Sequence, residues 1–224
     1  MVAVPDDEQR GGLERGPVRT PVEARSNRVH WFAGRVHEVL DEVTAGGVPV
    51  SELNPAETAE AVTELCRLAS RIEGLKATLV AHGDRVDVAR ESGATSTGAW
   101  LAVATRTVRG RANGLVRLAK QLDAAAGSSS CADAAVSFEA TSTALLEGRV
   151  DVDQAQVITD AVTALPAFVG PRDRRRAEAH LLGEATRHDA KRLRLLARHL
   201  LHVIDPEAAD AELARRLDRE EADA

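Results

Sequence analysis

TGAWLAVATRTVRGRANGLVRLAKQL, residues 97–122, is the stretch on which the interpretation of this 224-residue chain depends. It contains five basic residues and no acidic residue. Its apolar residues recur at helical spacing on either side of a break near Thr107, which predicts a short helix, a tight turn and a longer helix. Two interpretations follow: a helix-turn-helix that contacts DNA, or two core helices with a solvated basic rim.

The turn matches the helix-turn-helix pattern only in part. Ala102 occupies the position in the first helix that requires a small residue. The same spacing places Arg106 where glycine is usual and Thr107 where an aliphatic residue is usual. A threonine side chain at that position is expected to cap the helix that follows.

The second helix is predicted to be amphipathic. One side is apolar and carries Val108, Ala112, Leu115, Ala119 and Leu122. On another side, four polar residues lie within an arc of about 80° on the helical wheel, where each residue is rotated by about 100° from the one before it. Arginine and asparagine suit base edges, whereas lysine and further arginines suit phosphates. With the turn arginine added, the candidate site for double-stranded DNA consists of Arg106, Arg109, Asn113, Arg117 and Lys120.

A second basic patch is predicted between residues 172 and 202, a segment that contains nine lysines or arginines and four acids. Its members are predicted on two consecutive helices. This patch either extends the phosphate-binding surface or contacts an acidic tail at residues 206–224. The patch consists of Arg174, Arg175, Arg176, Lys191, Arg194 and Arg198.

A long helix is predicted over residues 55–90. Asn54 is placed to cap it, Pro55 suits its first turn, and Glu57 occupies the capping-box position. Its apolar residues alternate in steps of three and four, which is typical of a helix that packs along a partner. A helical hairpin core is the first interpretation, and a homodimer through the 55–90 helix is the alternative. The seam consists of Val62, Leu65, Ala69, Ile72, Leu75 and Leu79.

The chain as a whole is predicted to be all-α, because no window shows the period-two alternation of a strand. We expect a multi-helix bundle of successive helical hairpins, one of them helix-turn-helix-like. Residues 1–28 are predicted to form a disordered arm, residues 29–205 the helical domain with a joint at 126–133, and residues 206–224 the acidic C-terminal tail.

Composition limits the classes of function. Hydrophobic residues make up 44% of the chain and aromatic residues 2%, and the formal net charge is −6, so a case for DNA must rest on local charge. Cys66 and Cys131 are far apart, which favours two thiols in a reduced, cytoplasmic protein over a disulfide. The first residues alternate charges with glycine and proline, so we expect no signal peptide and no membrane partner.

Three stretches together resemble a known family: GATSTGAWLAVATRTVRGRANGLVRLAKQL, ALLEGRVDVDQAQVITDAVTALP and AEAHLLGEATRHDAKRLRLLARHLLHVIDPE. Over residues 53–211 the chain resembles domain-of-unknown-function family 222, the 13E12 repeat family, which is abundant in high-GC bacteria. Its most specific marks here are Ser96-Thr97, Trp100-Leu101, LVRLA at 115–119, the GRVDVDQAQVI turn and IDPE at 204–207. Members typically carry an HNH endonuclease module after the helical domain, so the resemblance implies a DNA-processing context.

The residues themselves give no indication of catalysis. An HNH site needs a histidine that activates water and further ligands that hold a divalent metal. Residues 205–224 contain no His, Asn or Cys, so we expect no nuclease module in this chain. His199 and His202 have a ligand-like spacing, but no third ligand is spaced to complete a site. We therefore expect no catalytic residue, no metal and no cofactor.

These observations lead to two expectations of different class. The first is a non-catalytic helical domain that binds or targets DNA as an accessory part of an HNH-type system, here truncated or stand-alone. The alternative is a helical protein–protein interaction or dimerisation module with no DNA contact.

Overall fold

The computed structural model describes residues 21–47, 50–123, 137–200 and 203. Within these ranges it contains helices and no strand, so the all-α prediction is confirmed. The predicted joint, the predicted acidic tail, Cys131 and the first 20 residues of the predicted arm lie outside the described residues. The helices are α1 (Pro21–Thr44), a 3-10 turn (Val50–Glu52), α2 (Pro55–Arg85), α3 (Val88–Glu91), α4 (Thr97–Thr105), α5 (Arg109–Leu122), α6 (Glu139–Leu146), α7 (Val152–Thr163), α8 (Pro171–Ala185) and α9 (Ala190–Ala197).

The chain divides into two compact units, residues 1–58 and 59–224. In the first unit α1 begins at Pro21, so the boundary predicted between residues 28 and 29 falls inside a helix. The start of α2 is a capping box, as predicted. The Asn54 side chain accepts hydrogen bonds from the backbone N–H groups of Ala56 and Glu57, and the Glu57 carboxylate accepts one from the Asn54 N–H at 2.9 Å.

Two hydrophobic clusters form the core of the second unit, and α5 contributes to both of them. One cluster joins α5 to α4 and to the C-terminal half of α2 through Ala77, Val80, Ala81, Leu101, Ala112, Val116 and Ala119. The other joins the end of α5 to α6, α7, α8 and α9, with Leu118, Leu145, Ile158, Leu181 and Leu193 fully buried. Because α5 contributes residues to both clusters, it connects the two parts of this core.

The predicted seam of α2 is largely exposed, which contradicts the helical hairpin core expected for it. Val62 is 55%, Leu65 61% and Ile72 36% exposed. The buried positions of α2 belong instead to its C-terminal half, where Gly74 and Ala77 pack inward. Periodicity identifies an apolar face correctly, but it does not show whether that face is covered.

The end of α6 lies close against α2. The Arg67 and Arg71 Nε atoms donate hydrogen bonds to the carbonyl groups of Glu147 and Leu146, at 3.2 and 3.3 Å. Two guanidinium groups thus stabilise the negative end of a helix. Gly148 follows α6 with φ +71°, and a Cβ atom there would lie 2.6 Å from the Arg67 carbonyl oxygen. Both the backbone conformation and the space at this position therefore require glycine.

Asp151 caps α7 in a second capping box, in which Gln154 supplies the reciprocal bond. The Gln154 Nε2 also donates to the carbonyl groups of Ala185 and His188, both at 2.8 Å. These bonds attach the start of α7 to the end of α8. Asp189 then caps α9 through the Arg192 N–H.

Candidate functional site

The turn between α4 and α5 comprises residues 106–108. Arg106 ends α4 in the left-handed conformation, with φ 54° and ψ 34°, and its N–H donates to the carbonyl groups of Ala102 and Val103. This is the position where the helix-turn-helix pattern has glycine. An arginine in this conformation costs about 1–2 kcal/mol, so the turn is formed with strain that glycine would avoid.

The start of α5 has no side-chain cap. Its N-cap residue is Val108, which makes no side-chain hydrogen bond, so the cap predicted for Thr107 is wrong. The Thr107 hydroxyl lies 2.9 Å from that of Thr105, which itself donates to the Leu101 carbonyl. Thr107 therefore donates to Thr105. Among the described residues, no side chain accepts a hydrogen bond from the first N–H groups of α5, which carry the positive end of the helix dipole.

Three arginines surround this uncapped helix end. Arg106, Arg109 and Arg111 are exposed, and their side chains make no hydrogen bond or ion pair with any described residue. Val103 and Val108 lie beside them and are 81% and 79% exposed. Val108 therefore lies in the turn and does not belong to the apolar side predicted for α5. We name Arg106, Arg109 and Arg111 together with the α5 N-terminus the turn cluster.

Sequence reasoning missed Arg111. On the helical wheel it lies near the buried side of α5, between Leu115 and Leu118. It is exposed because it stands in the first turn, before the surrounding helices cover that side. Its side chain lines a groove of about 580 Å³ whose other charged residues are Glu73, Lys76, Asp151 and Asp153.

The remaining cations of the predicted face are each paired with an acid. Arg117 Nη2 lies 3.0 Å from Asp160 Oδ2, and Lys120 Nζ lies 2.9 Å from Asp84 Oδ2. Burial opposes the ionisation of Asp84, but hydrogen bonds from Lys120 and Thr97 and the charge of Lys120 outweigh it and hold its pKa below the ordinary value. The sequence of α5 has no acid on this face. In the structure, however, Asp84 of α2 and Asp160 of α7 lie against its cations.

Asp160 and Asn113 have structural contacts. Asp160 also accepts hydrogen bonds from Gln121 and Gln156, at 3.4 and 3.1 Å, so it joins α5 to α7. Asn113 is exposed, but its Oδ1 lies against the backbone of Gly98, where a Cβ atom would come within 2.0 Å. The amide of Asn113 thus occupies the crossing of α4 and α5.

The second basic patch contains one arginine with a structural role. Arg174 donates from Nε to the carbonyl of Val169 at 3.0 Å, from Nη1 to that of Val162 at 2.6 Å, and from Nη2 to those of Leu165 and Pro166 at 2.9 and 2.8 Å. Its guanidinium closes the segment between α7 and α8. Arg174 is therefore engaged with backbone carbonyls, whereas the sequence predicts a contact of this patch with phosphate or with the acidic tail.

The other members of that patch are exposed. Arg176 pairs with Asp173 at 3.2 Å within the first turn of α8. The Arg175 Nε donates to the Pro171 carbonyl at 3.3 Å. Lys191, Arg194 and Arg198 have no side-chain partner among the residues the structure covers.

The described ranges hold neither a metal-binding cluster nor a membrane-spanning helix. No group of three or more His, Cys, Asp or Glu side chains there is arranged to hold a metal ion. None of the described helices has the length and apolarity needed to cross a bilayer.

The helices that surround α5 lie within a segment that matches a known family. The model of the family described as Domain of unknown function (DUF222) matches residues 59–224, which is most of the chain and includes the turn cluster. The chain belongs to DUF222. This confirms the family resemblance found in the sequence. No curated protein and no solved structure matches this DUF222 chain.

Proposed function

We propose that this DUF222 chain binds double-stranded DNA, without catalysis, through the turn cluster. The observation that supports the proposal is a group of three exposed arginines at an uncapped helix end, none of which has a side-chain partner among the described residues. Backbone N–H groups and arginine side chains are the groups that bind phosphates in protein–DNA interfaces. The exposed Val103 and Val108 add apolar surface of the kind that contacts a thymine methyl group.

The proposed contact is narrower than the face predicted from the sequence. Arg117 and Lys120 already neutralise Asp160 and Asp84, so phosphates would compete with those acids. Three arginines that neutralise about three phosphates give an expected slope of log K against log salt of about −3. We expect weak binding that is lost at moderate salt.

The wider role is proposed on the family resemblance alone. HNH modules accompany the helical domain in many members, so we propose that this domain serves as a DNA-binding or targeting part of an HNH-type nuclease. In this proposal the helical domain positions DNA, and catalytic residues are supplied by the module that accompanies it.

The test compares two double charge reversals that change the net charge equally. Arg109→Glu with Arg111→Glu removes two members of the turn cluster, and Lys191→Glu with Arg194→Glu removes two exposed cations of α9. In a gel shift with random duplex at low salt, we expect the first variant to lose at least about tenfold in affinity and the second to lose little. No binding by the unaltered chain, or an equal loss in both variants, would contradict the proposal.

A second candidate function is supported by the exposed face of α2. Val62, Leu65, Leu68, Ile72 and Leu79 are each 36% or more exposed. Residues 62–79 cover about 26 Å of helix at 1.5 Å per residue, which is long enough for a coiled-coil contact. We propose a second copy of the chain as the partner, because an apolar stripe of heptad-like spacing is self-complementary.

This alternative predicts a dimer that depends on concentration. Leu65→Asp with Ile72→Asp is expected to raise the dimer dissociation constant at least about tenfold, because two charges would be buried in the seam. Val86→Asp with Phe168→Asp is the matched control, since these side chains are 55% and 51% exposed but lie outside the seam. Sedimentation equilibrium measures both, and a monomer at all concentrations would exclude this alternative.

A further inference from the structure

A groove between α6 and α8 has a volume of about 850 Å³ and lies apart from the turn cluster. Its lining includes apolar side chains such as Ala140, Ala179 and Leu182, together with charged groups of both signs. This size lies within the range of small-molecule sites, which combine apolar walls with a few fixed polar groups. The charged groups are Glu139, Arg149, Arg174, Arg175 and Glu178.

Glu178 is a buried carboxylate in this groove. It is 3% exposed, and its Oε1 accepts hydrogen bonds from the Thr141 N–H at 2.8 Å and the Thr141 hydroxyl at 2.7 Å. The N-cap residue of α6, Phe138, makes no side-chain hydrogen bond, so α8 supplies the cap that α6 lacks. The second oxygen of Glu178, Oε2, has no hydrogen-bond partner within the described part of the chain.

Although Glu178 as a whole is 3% exposed, its Oε2 atom is not fully buried and retains contact with solvent, so a ligand with an N–H donor can reach it. A bound ammonium or amine would satisfy it with a charge-assisted hydrogen bond. The carboxylate that lines the groove thus has one oxygen held by Thr141 and the other available to a ligand, and this observation supports a binding site.

Two arginines provide the complementary charge. The Nε of Arg149 donates to Glu147 at 2.6 Å, and the Nε of Arg175 donates to the Pro171 carbonyl at 3.3 Å. Both guanidinium groups are thus anchored through Nε, and their terminal amino groups have no partner among the described residues. Arg174 also lines the groove, but its donors are already directed to backbone carbonyls.

We propose that this groove binds a small zwitterion of the amino-acid type. The amino group of the ligand donates to Glu178 Oε2, and its carboxylate accepts from the terminal amino groups of Arg149 and Arg175. A simple anion would leave Glu178 Oε2 without a donor, and a simple cation would leave the two arginines without an acceptor. Only a molecule that carries both charges satisfies the three groups together. This proposal does not depend on DNA binding.

The test uses a series of zwitterions in which the distance between the charges increases: glycine, β-alanine, 4-aminobutyrate and 6-aminohexanoate. Acetate and ethylammonium each carry one of the two charges. Chemical-shift changes of the full chain, recorded by NMR during titration, should saturate with at least one zwitterion and with neither single-charge compound. Failure of every zwitterion to saturate, or equal binding of acetate, would overturn the proposal.

Three variants test whether the zwitterion binds in this groove. Glu178→Gln retains an oxygen for Thr141 but replaces Oε2 with an NH₂ donor, so we expect at least a tenfold loss of zwitterion affinity. Arg175→Gln should also weaken binding at least fivefold, and it tests the proposal even if Glu178→Gln does not fold. Arg172→Gln is the matched control, because Arg172 is an exposed arginine of the same helix that does not line the groove. Unchanged affinity in both Glu178→Gln and Arg175→Gln would refute the site.

Discussion

Replacing Arg174 with alanine is expected to lower the free energy of unfolding by about 3–4 kcal/mol. Its guanidinium donates to four backbone carbonyls between residues 162 and 169, and no other described side chain donates to them. Hydrogen bonds from a charged donor contribute about 1.5–3 kcal/mol each when partly buried, and water would replace some of them. Urea denaturation of the purified variant measures the loss.

Two control variants separate the hydrogen-bond fork from the charge of Arg174. Arg175→Ala removes an exposed arginine from the next position and should change the stability by less than about 1 kcal/mol. Arg174→Lys keeps the charge but loses the planar fork, so it should recover less than half of the stability. A stability of Arg174→Ala equal to that of Arg175→Ala would show that the four bonds contribute little.

Replacing Gly148 with alanine is expected to destabilise the fold by about 3–4 kcal/mol. The φ of +71° disfavours any side chain, and the new Cβ would overlap the Arg67 carbonyl at 2.6 Å and the Arg67 Cγ at 2.7 Å. Left-handed backbone costs an alanine about 1–2 kcal/mol. The remainder comes from separating α6 from α2, which also weakens the bonds that Arg67 and Arg71 donate.

Gly93 provides the matched control for Gly148. It has φ +69°, nearly the same conformation, but no described atom lies within 4 Å of the position that a Cβ would occupy there. Gly93→Ala should therefore cost only the conformational part, about 1–2 kcal/mol. Thermal or urea unfolding gives the loss of stability in each variant, and the difference between them is the cost of the close approach to Arg67. Equal losses would show that the structure relaxes around the new Cβ at no cost.

The fold was largely predictable because helix boundaries depend on residues close together in the sequence. Asn54 caps α2 as predicted, Asp151 and Asp189 cap α7 and α9 with the same kind of local signal, and Pro171 begins α8. These signals depend on residues within one turn of each other. The end of α2 was less predictable, because Asp87 interrupts the helix in a left-handed conformation that glycine usually adopts.

The candidate site was predictable only in part, since a helical wheel describes one helix at a time. Arg117 forms an ion pair with Asp160, which is 43 residues away in the sequence, and no pattern within α5 indicates this contact. Arg174 looks like any other arginine of its basic run, yet it binds the backbone that precedes its own helix. Arg111 is exposed because of where the neighbouring helices end, which is a property of the tertiary structure.

The two-sided burial of α5 has a consequence for local opening of the chain. A helix that belongs to two hydrophobic clusters cannot detach without disrupting both, so α5 should be among the last elements to lose protection from hydrogen exchange. Backbone amide protons near Leu118 should exchange only through unfolding of the whole second unit. The backbone that carries Arg109 and Arg111 thus belongs to one of the most slowly opening helices of this unit, so the helix does not have to form when an anion binds.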